Sequence, residues 1–296
     1  MTVHLVCEGT ASGLDNRILD RLVVQRHNLN VQIAFSGGSS GLGAVQEFLL
    51  KRSPSDKVIR VQDRDYFRTQ TEADATWART TATAFHWRRH EIENYLLDPK
   101  VLLTLFNDYL ATAADWTSTL PSTEADVQML LQTAAEPLIE NHVGEILRVE
   151  LLRCSTAAGS LQFGGSAAAP AGRLIADQNS WINALQREAA RLCAVCTAAS
   201  GCPDLQPAAI EARYETLLIQ YRDPAFLSTG NFLIDMGGHE LMAALAAHFR
   251  EIGAPPHFST TFLEDDLLEA LDQIYQPGTL FQPDDFQELA AILGQY

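Results

Sequence analysis

The chain has 296 residues, 47% hydrophobic and 8% aromatic, the composition of a globular protein with room for one large core or two smaller ones. It lacks a run of about 18 apolar residues, and Met1-Thr2-Val3-His4 has neither the basic nor the apolar region of a signal peptide, so neither a membrane span nor secretion is expected. The net charge of −16 argues at first against a nucleic-acid partner.

In chain order, residues 3–8 read as a buried strand that ends on an acid, Glu8. Leu14 to Gln25 has Leu14, Ile18, Leu19, Leu22 and Val23 at helical spacing. Val31 to Phe35 alternates like a strand, and Ser36-Gly37-Gly38-Ser39-Ser40-Gly41-Leu42-Gly43 is a glycine loop before a helix over 44–50. Residues 58–62 form the next strand, which runs into Asp63-Arg64-Asp65, and Ala84-Phe85-His86-Trp87 a fourth. The order β-α-β-α-β over residues 1–65 is that of a parallel sheet with crossover helices. After Pro99 the texture changes to long Ala/Leu-rich helical patterns, at 125–152, 180–199, 208–221 and 238–250, broken by an Ala/Gly/Ser-rich stretch at 155–172 that reads as a flexible loop. The fold class is therefore α/β, a parallel sheet flanked by helices over residues 1–98, with a large, mostly helical region over 99–296.

Charge divides along the same line. Residues 1–100 hold 13 Lys and Arg against 12 Asp and Glu, and residues 101–296 hold 8 against 25. The acidic remainder suits a solvated surface or a protein-docking surface, including a homodimer contact. Five cysteines, an odd number spread along the chain, suit reduced thiols in a cytoplasm.

The chemistry lies at strand ends. In a parallel α/β sheet, ligands gather beyond the carboxyl ends of the strands. Glu8 and the Asp63/Asp65 pair end two such strands, and an Asp-x-Asp at a strand end places both side chains on one side. Three carboxylates in one cleft repel unless a hard cation lies between them, and Mg²⁺ selects carboxylate oxygen. A further group, His90-Glu91-Ile92-Glu93, follows Arg88-Arg89 and offers another ligand with phosphate-holding cations; the plain alternative is a helix start whose dipole favours acids. Other features point elsewhere. The glycine loop resembles the cofactor loop of short-chain dehydrogenases, but none of the three lysines lies four residues after a tyrosine, so a tight turn is the better account. Cys193, Cys196 and Cys202 lack a fourth zinc ligand at useful spacing and read as buried thiols.

The strand-Glu-Gly at 3–9, the Asp-x-Asp at 63–65 and the elements between them resemble a TOPRIM domain. Glu91-Ile92-Glu93-Asn94-Tyr95-Leu96-Leu97 is similar to a stretch of small stand-alone TOPRIM proteins of the OLD-like (overcoming lysogenization defect) branch, and Gly237-Gly238-His239-Glu240-Leu241-Met242 looks like a later turn of that family. The resemblance implies a TOPRIM-type sheet over 1–98. Glu8 would be a metal ligand or general acid/base, Asp63 and Asp65 would hold Mg²⁺ or Mn²⁺, and Glu93 would bind a second metal or support the site. Asp15 would take the place of a second acid after the first, with three extra residues intervening, and Arg88 or Arg89 would stand in for a catalytic lysine. It further implies a metal-dependent nuclease acting on RNA or DNA, the effector of an ATPase-controlled anti-phage system of PARIS-like type. The chain has no Gly-x-x-x-x-Gly-Lys-Ser/Thr loop, so an ABC-type ATPase would be a separate chain. The alternatives are a non-catalytic TOPRIM adaptor that binds such an ATPase or a recombination complex, and an aspartyl phosphotransferase, which would prefer Asp-x-Asp on the first strand.

Overall fold

The structure, a computed structural model, describes residues 1–79, 82–112, 115–157, 177–195, 203–254 and 260–296. The chain is α/β. Strands β1 (Val3–Cys7), β2 (Val31–Phe35), β3 (Lys57–Gln62) and β4 (Ala84–His86) form one parallel sheet in the order β2-β1-β3-β4. The crossovers are helical. Helix α1 (Leu14–Ile18) continues as a π-helical segment, Leu19–Gln25; α2 (Leu42–Arg52) follows the glycine loop; α3 (Gln70–Trp77) joins β3 to β4. The sequence pattern did not announce α3, yet Thr69 and Glu72 close a capping box at its start, each side chain accepting from the other's backbone N–H.

Strand alternation decides the two faces of the sheet. Val6 and Val58 pack with Leu42, Val45 and Leu49 of α2 on one face. Leu5, Cys7 and Ile59, all fully buried, point the other way. The glycine loop is a tight strand-to-helix turn: Gly37 and Gly38 have φ of 71° and 137°, and Gly37 N–H donates to Gly9 O at 3.0 Å.

Beyond β4 come α4 (Glu93–Leu96), α5 (Pro99–Ala111), α6 (Glu124–Ala135), α7 (Ile139–Ala157), α8 (Gln178–Val195), α9 (Pro207–Tyr221), α10 (Pro224–Ser228), α11 (Phe232–Asp235), α12 (Gly238–Glu251), α13 (Thr260–Ile274) and α14 (Asp285–Leu293). The expected helix over 125–152 is two, α6 and α7, with Pro137 in the 3₁₀ turn between them, where its missing N–H is tolerated. The stretch at 155–172 lies largely outside the described residues, as do Cys196 and Cys202.

The chain divides into two compact units, Met1–Leu131 with Leu233–Tyr296, and Gln132–Phe232. The second unit is helical; α7, α8 and α9 close on Val143, Leu147, Trp181, Leu185, Ile210 and Tyr214. The first holds the sheet, and its C-terminal helices return to it. Trp87, Tyr95, Phe281 and Phe286 form one aromatic cluster, with ring centroids 4.8–5.8 Å apart in the Trp87–Phe286, Tyr95–Phe286 and Trp87–Tyr95 pairs. Arg17, Arg21 and Arg26 reach acids of α13: Arg17 pairs with Asp265, Arg21 with Glu269 at 3.2 Å and Arg26 with Asp272 at 2.6 Å. The cations of the first third are thus partly neutralised by the acidic remainder, a departure from the separation that the linear charge count suggests. Among the described residues, no helix is long and apolar enough to cross a membrane.

Candidate metal centre

Strand register brings the first acids together. Val6 pairs with Arg60, so Glu8 comes level with Gln62 and one residue short of Asp63. The Asp63 N–H donates to Glu8 Oε1 at 3.3 Å. Gly9 follows with φ of 75°, a conformation that favours glycine, and a Cβ there would stand 3.0 Å from Asp15 Oδ2. The Glu-Gly pair therefore ends β1, turns the chain and lets Asp15, at the start of α1, approach the same strand end.

The loop after β3 is tied to the segment after β4. Arg64 N–H and Asp65 N–H both donate to His90 O at 3.0 Å, and Ile92 N–H donates to Asp63 Oδ1 at 3.0 Å. Asp65 has φ of 45°, a left-handed conformation that a short polar side chain tolerates. The 90–94 turn is tied in turn to the start of α12. Asn94 Nδ2 donates to Met236 O and His239 N–H donates to Glu91 Oε2, both at 2.9 Å. A Cβ on Gly238 would lie 2.8 Å from Asn94 N and from Glu93 Cβ, so only glycine permits this approach. Four chain segments, after β1, after β3, after β4 and at the start of α12, thus bring Glu8, Asp15, Asp63, Asp65, Glu91, Glu93 and Glu240 into one cleft.

Electrostatics follow from that crowding. Glu8 is pushed up to about 7, first by burial and then by Asp65. Glu93 is pushed up to about 8, by burial and then by Glu91. Burial, reinforced by Asp15 and Glu93, drives Asp63 well above the carboxylate range. Asp15, Asp65 and Glu240 are also raised, in each case chiefly by burial. Glu91 is the exception: burial raises it, but the His90 ring and the His239 N–H outweigh burial and leave it lowered. Among the described residues, no arginine or lysine forms an ion pair with Glu8, Asp15, Asp63, Asp65, Glu93 or Glu240. Arg64 lies between the two aspartates in sequence but turns away, donating to Ile234 O at 2.6 Å and Asp235 Oδ1 at 2.8 Å.

These residues fit a divalent cation. The donor set is carboxylate oxygen, which suits Mg²⁺ and Mn²⁺. Glu240 Oε2 is buried without a hydrogen-bond partner, an acceptor that a cation would satisfy. Residues 65, 90 and 91 each offer a donor atom, all three within 4.8 Å of one another. Reading the sequence picked Glu8, Asp15, Asp63, Asp65 and Glu93 as ligands and offered Glu91 only together with Glu93 in the 90–93 group, but did not single out His90 or Glu240 as ligands. Glu91 has the same alternative reading as a helix-start acid, and Glu240 lies far along the chain.

Arg88 and Arg89 do not face the cleft. Arg88 pairs with Asp285, with Asp74 at 3.0 Å and with Glu288 at 2.9 Å. Arg89 donates to Asn94 O at 2.6 Å and lies over the rings of Tyr95 and Phe281. Both are committed to holding the chain together, so neither is free to grip a phosphate, contrary to the expectation from sequence. The chain matches no protein-family model and no curated protein.

Proposed function

We propose that this chain is a divalent-cation-dependent phosphodiesterase of TOPRIM type that cleaves RNA or DNA under the control of a separate ATPase chain. One observation carries the reading: carboxylates from the ends of two neighbouring parallel strands meet at one strand edge, and among the described residues no arginine or lysine pairs with them. That arrangement costs folding energy without a cation and is useful with one.

Asp63 and Asp65 would hold the cation, with Asp15 and Glu93 adding negative charge. Bound Mg²⁺ or Mn²⁺ would supply the positive charge that draws in a phosphodiester and would acidify a water. Glu8, at the end of β1 with its Oε1 accepting from the Asp63 N–H, would be the group placed to take the proton of an attacking water. The net charge of −16 disfavours unaided grip on a polyanion, which is why the substrate would be delivered by a partner or recognised by shape.

The test is cleavage of RNA and DNA, single- and double-stranded, by the parent and by Glu8→Gln, with Mg²⁺ or Mn²⁺ and after chelation. Cation-dependent cutting that Glu8→Gln loses is the expected result. Undiminished cutting by Glu8→Gln would remove this cleft as the source of activity. Binding to an ATPase without cutting, by a protein that also binds no cation, would favour the adaptor reading.

A further inference from the structure

His90 is the least explained group in the cleft. It is 2% exposed, and neither ring nitrogen has a hydrogen-bond partner. Burying a polar atom unmet costs about 1–3 kcal/mol, so imidazoles in cores ordinarily satisfy at least one nitrogen. Tyr66 packs edge-on against the ring at 4.3 Å and fixes its plane. Nδ1 faces Glu91 Oε1 at 3.6 Å, too long for a hydrogen bond. The other oxygen of that carboxylate, Oε2, already accepts from the His239 N–H at 2.9 Å, which orients the group and leaves Oε1 for a ligand. The donor atoms of Asp65, His90 and Glu91 lie within 4.8 Å of one another, near enough for small side-chain rotations to bring them onto one ion.

We propose that Asp65, His90 and Glu91 form a nitrogen-containing cation site that selects Mn²⁺ over Mg²⁺, an inference that rests on the reading of the cleft as a cation site. Mg²⁺ takes oxygen ligands and keeps its waters, whereas imidazole suits first-row transition ions. The other acids of the cleft, Glu8, Asp15, Asp63 and Glu93, offer oxygen only. The cleft thus has a hard end and a borderline end, with Asp65 common to both. Glu240, with its unpartnered Oε2, stands beside Glu91 as a further oxygen for the borderline end.

The experiment is a titration of chelator-stripped full-length chain with MnCl₂ alone, followed by pulsed electron paramagnetic resonance for coupling to ¹⁴N. Coupling to one imidazole is expected, and competition with MgCl₂ should show tighter Mn²⁺ binding. His90→Asn should lose the coupling and weaken Mn²⁺ binding by at least about tenfold, with Mg²⁺ binding little changed. His239→Asn and His86→Asn remove the other two rings near the cleft, and each should keep the coupling. Absence of ¹⁴N coupling in the parent, its persistence in His90→Asn, or equal affinity for the two ions would overturn the proposal. The parent spectrum decides even if His90→Asn does not fold. Nitrogen-coupled Mn²⁺ without cleavage of any nucleic acid would refute the nuclease reading and leave this site standing. Mg²⁺-supported cleavage without nitrogen coupling would do the reverse.

Discussion

At the scale of single residues, the carboxylates of the cleft other than Glu91 are raised above their ordinary range. Asp63 Oδ1 accepts from Ile92 N–H and Glu8 Oε1 from Asp63 N–H, so Asp63→Asn and Glu8→Gln keep an acceptor oxygen while removing a charge. Without cations both variants should melt at or above the parent, and neither should cleave nucleic acid; calorimetry beside a cleavage assay checks the pair. A variant that melts well below the parent would mean that these charges stabilise rather than repel. The same shifts predict a pH dependence. Glu8 and Glu93 rise from an ordinary 4.5 to about 7 and about 8. Between pH 4.5 and 8 the folded chain therefore holds more protons than the unfolded one, and stability falls as pH rises through that window. Glu91 and His86, both lowered, act in the opposite sense but are outnumbered by Asp15, Asp63, Asp65 and Glu240. The chelated protein should melt higher near pH 5 than near pH 8, and saturating Mn²⁺ should restore most of the loss at pH 8. A melting temperature that climbs steadily from pH 5 to 8 without metal would contradict this.

At the scale of elements, the cleft depends on turns that approach closely. The start of α12 lies on the 90–94 turn because Gly238 has no side chain. Gly238→Ala would place a methyl 2.8 Å from Asn94 N, Asn94 Oδ1 and Glu93 Cβ. Backbone cannot yield as a flexible side chain can, so a cost of about 1–3 kcal/mol is expected in urea unfolding, with weaker cation binding because Glu93 and Glu91 are displaced. Wild-type stability and affinity in this variant would show that the turn has slack. The resemblance of Gly237-Gly238-His239-Glu240 to a family turn placed this segment among the interesting ones. What the turn touches was not readable, since its partners lie some 140 residues earlier in the chain (His239 N–H to Glu91 Oε2, Asn94 Nδ2 to Met236 O).

At the scale of the whole molecule, the unit that contains the sheet is closed by its own C-terminal segment. Arg88, just after β4, is held by Asp285 and Glu288 of α14, and Asp285 is fully buried and also accepts from Tyr95 Oη. Arg88→Ala leaves that carboxylate without its counter-charge and should cost about 3–5 kcal/mol in denaturant unfolding. Adding Asp285→Asn should recover part of the loss, because a neutral amide is cheaper to bury than an unpaired charge; a double-mutant cycle measures the recovery. Strict additivity of the two changes would show that the pair is not coupled.

The sequence by itself determined the local order. Alternating and continuous apolar runs marked the four strands within a residue or two, Ala/Leu periodicity marked the long helices, and the acids at strand ends marked Glu8, Asp63 and Asp65, because each of these signals is a short-range pattern. The capping box at Thr69 and Glu72 was legible too, although the helix it starts was passed over. Only the tertiary structure decided which cations were free and which acids joined the cleft. Arg88 and Arg89 look in sequence like phosphate ligands but spend their charge on Asp285, Glu288 and the Asn94 carbonyl, and Arg17, Arg21 and Arg26 spend theirs on α13. His90 and Glu240 acquire meaning only once β4 lies beside β3 and α12 lies on the turn after it. Charge pairing and ligand geometry depend on distance in space, and contacts spanning some 150–250 residues leave no periodic trace along the chain.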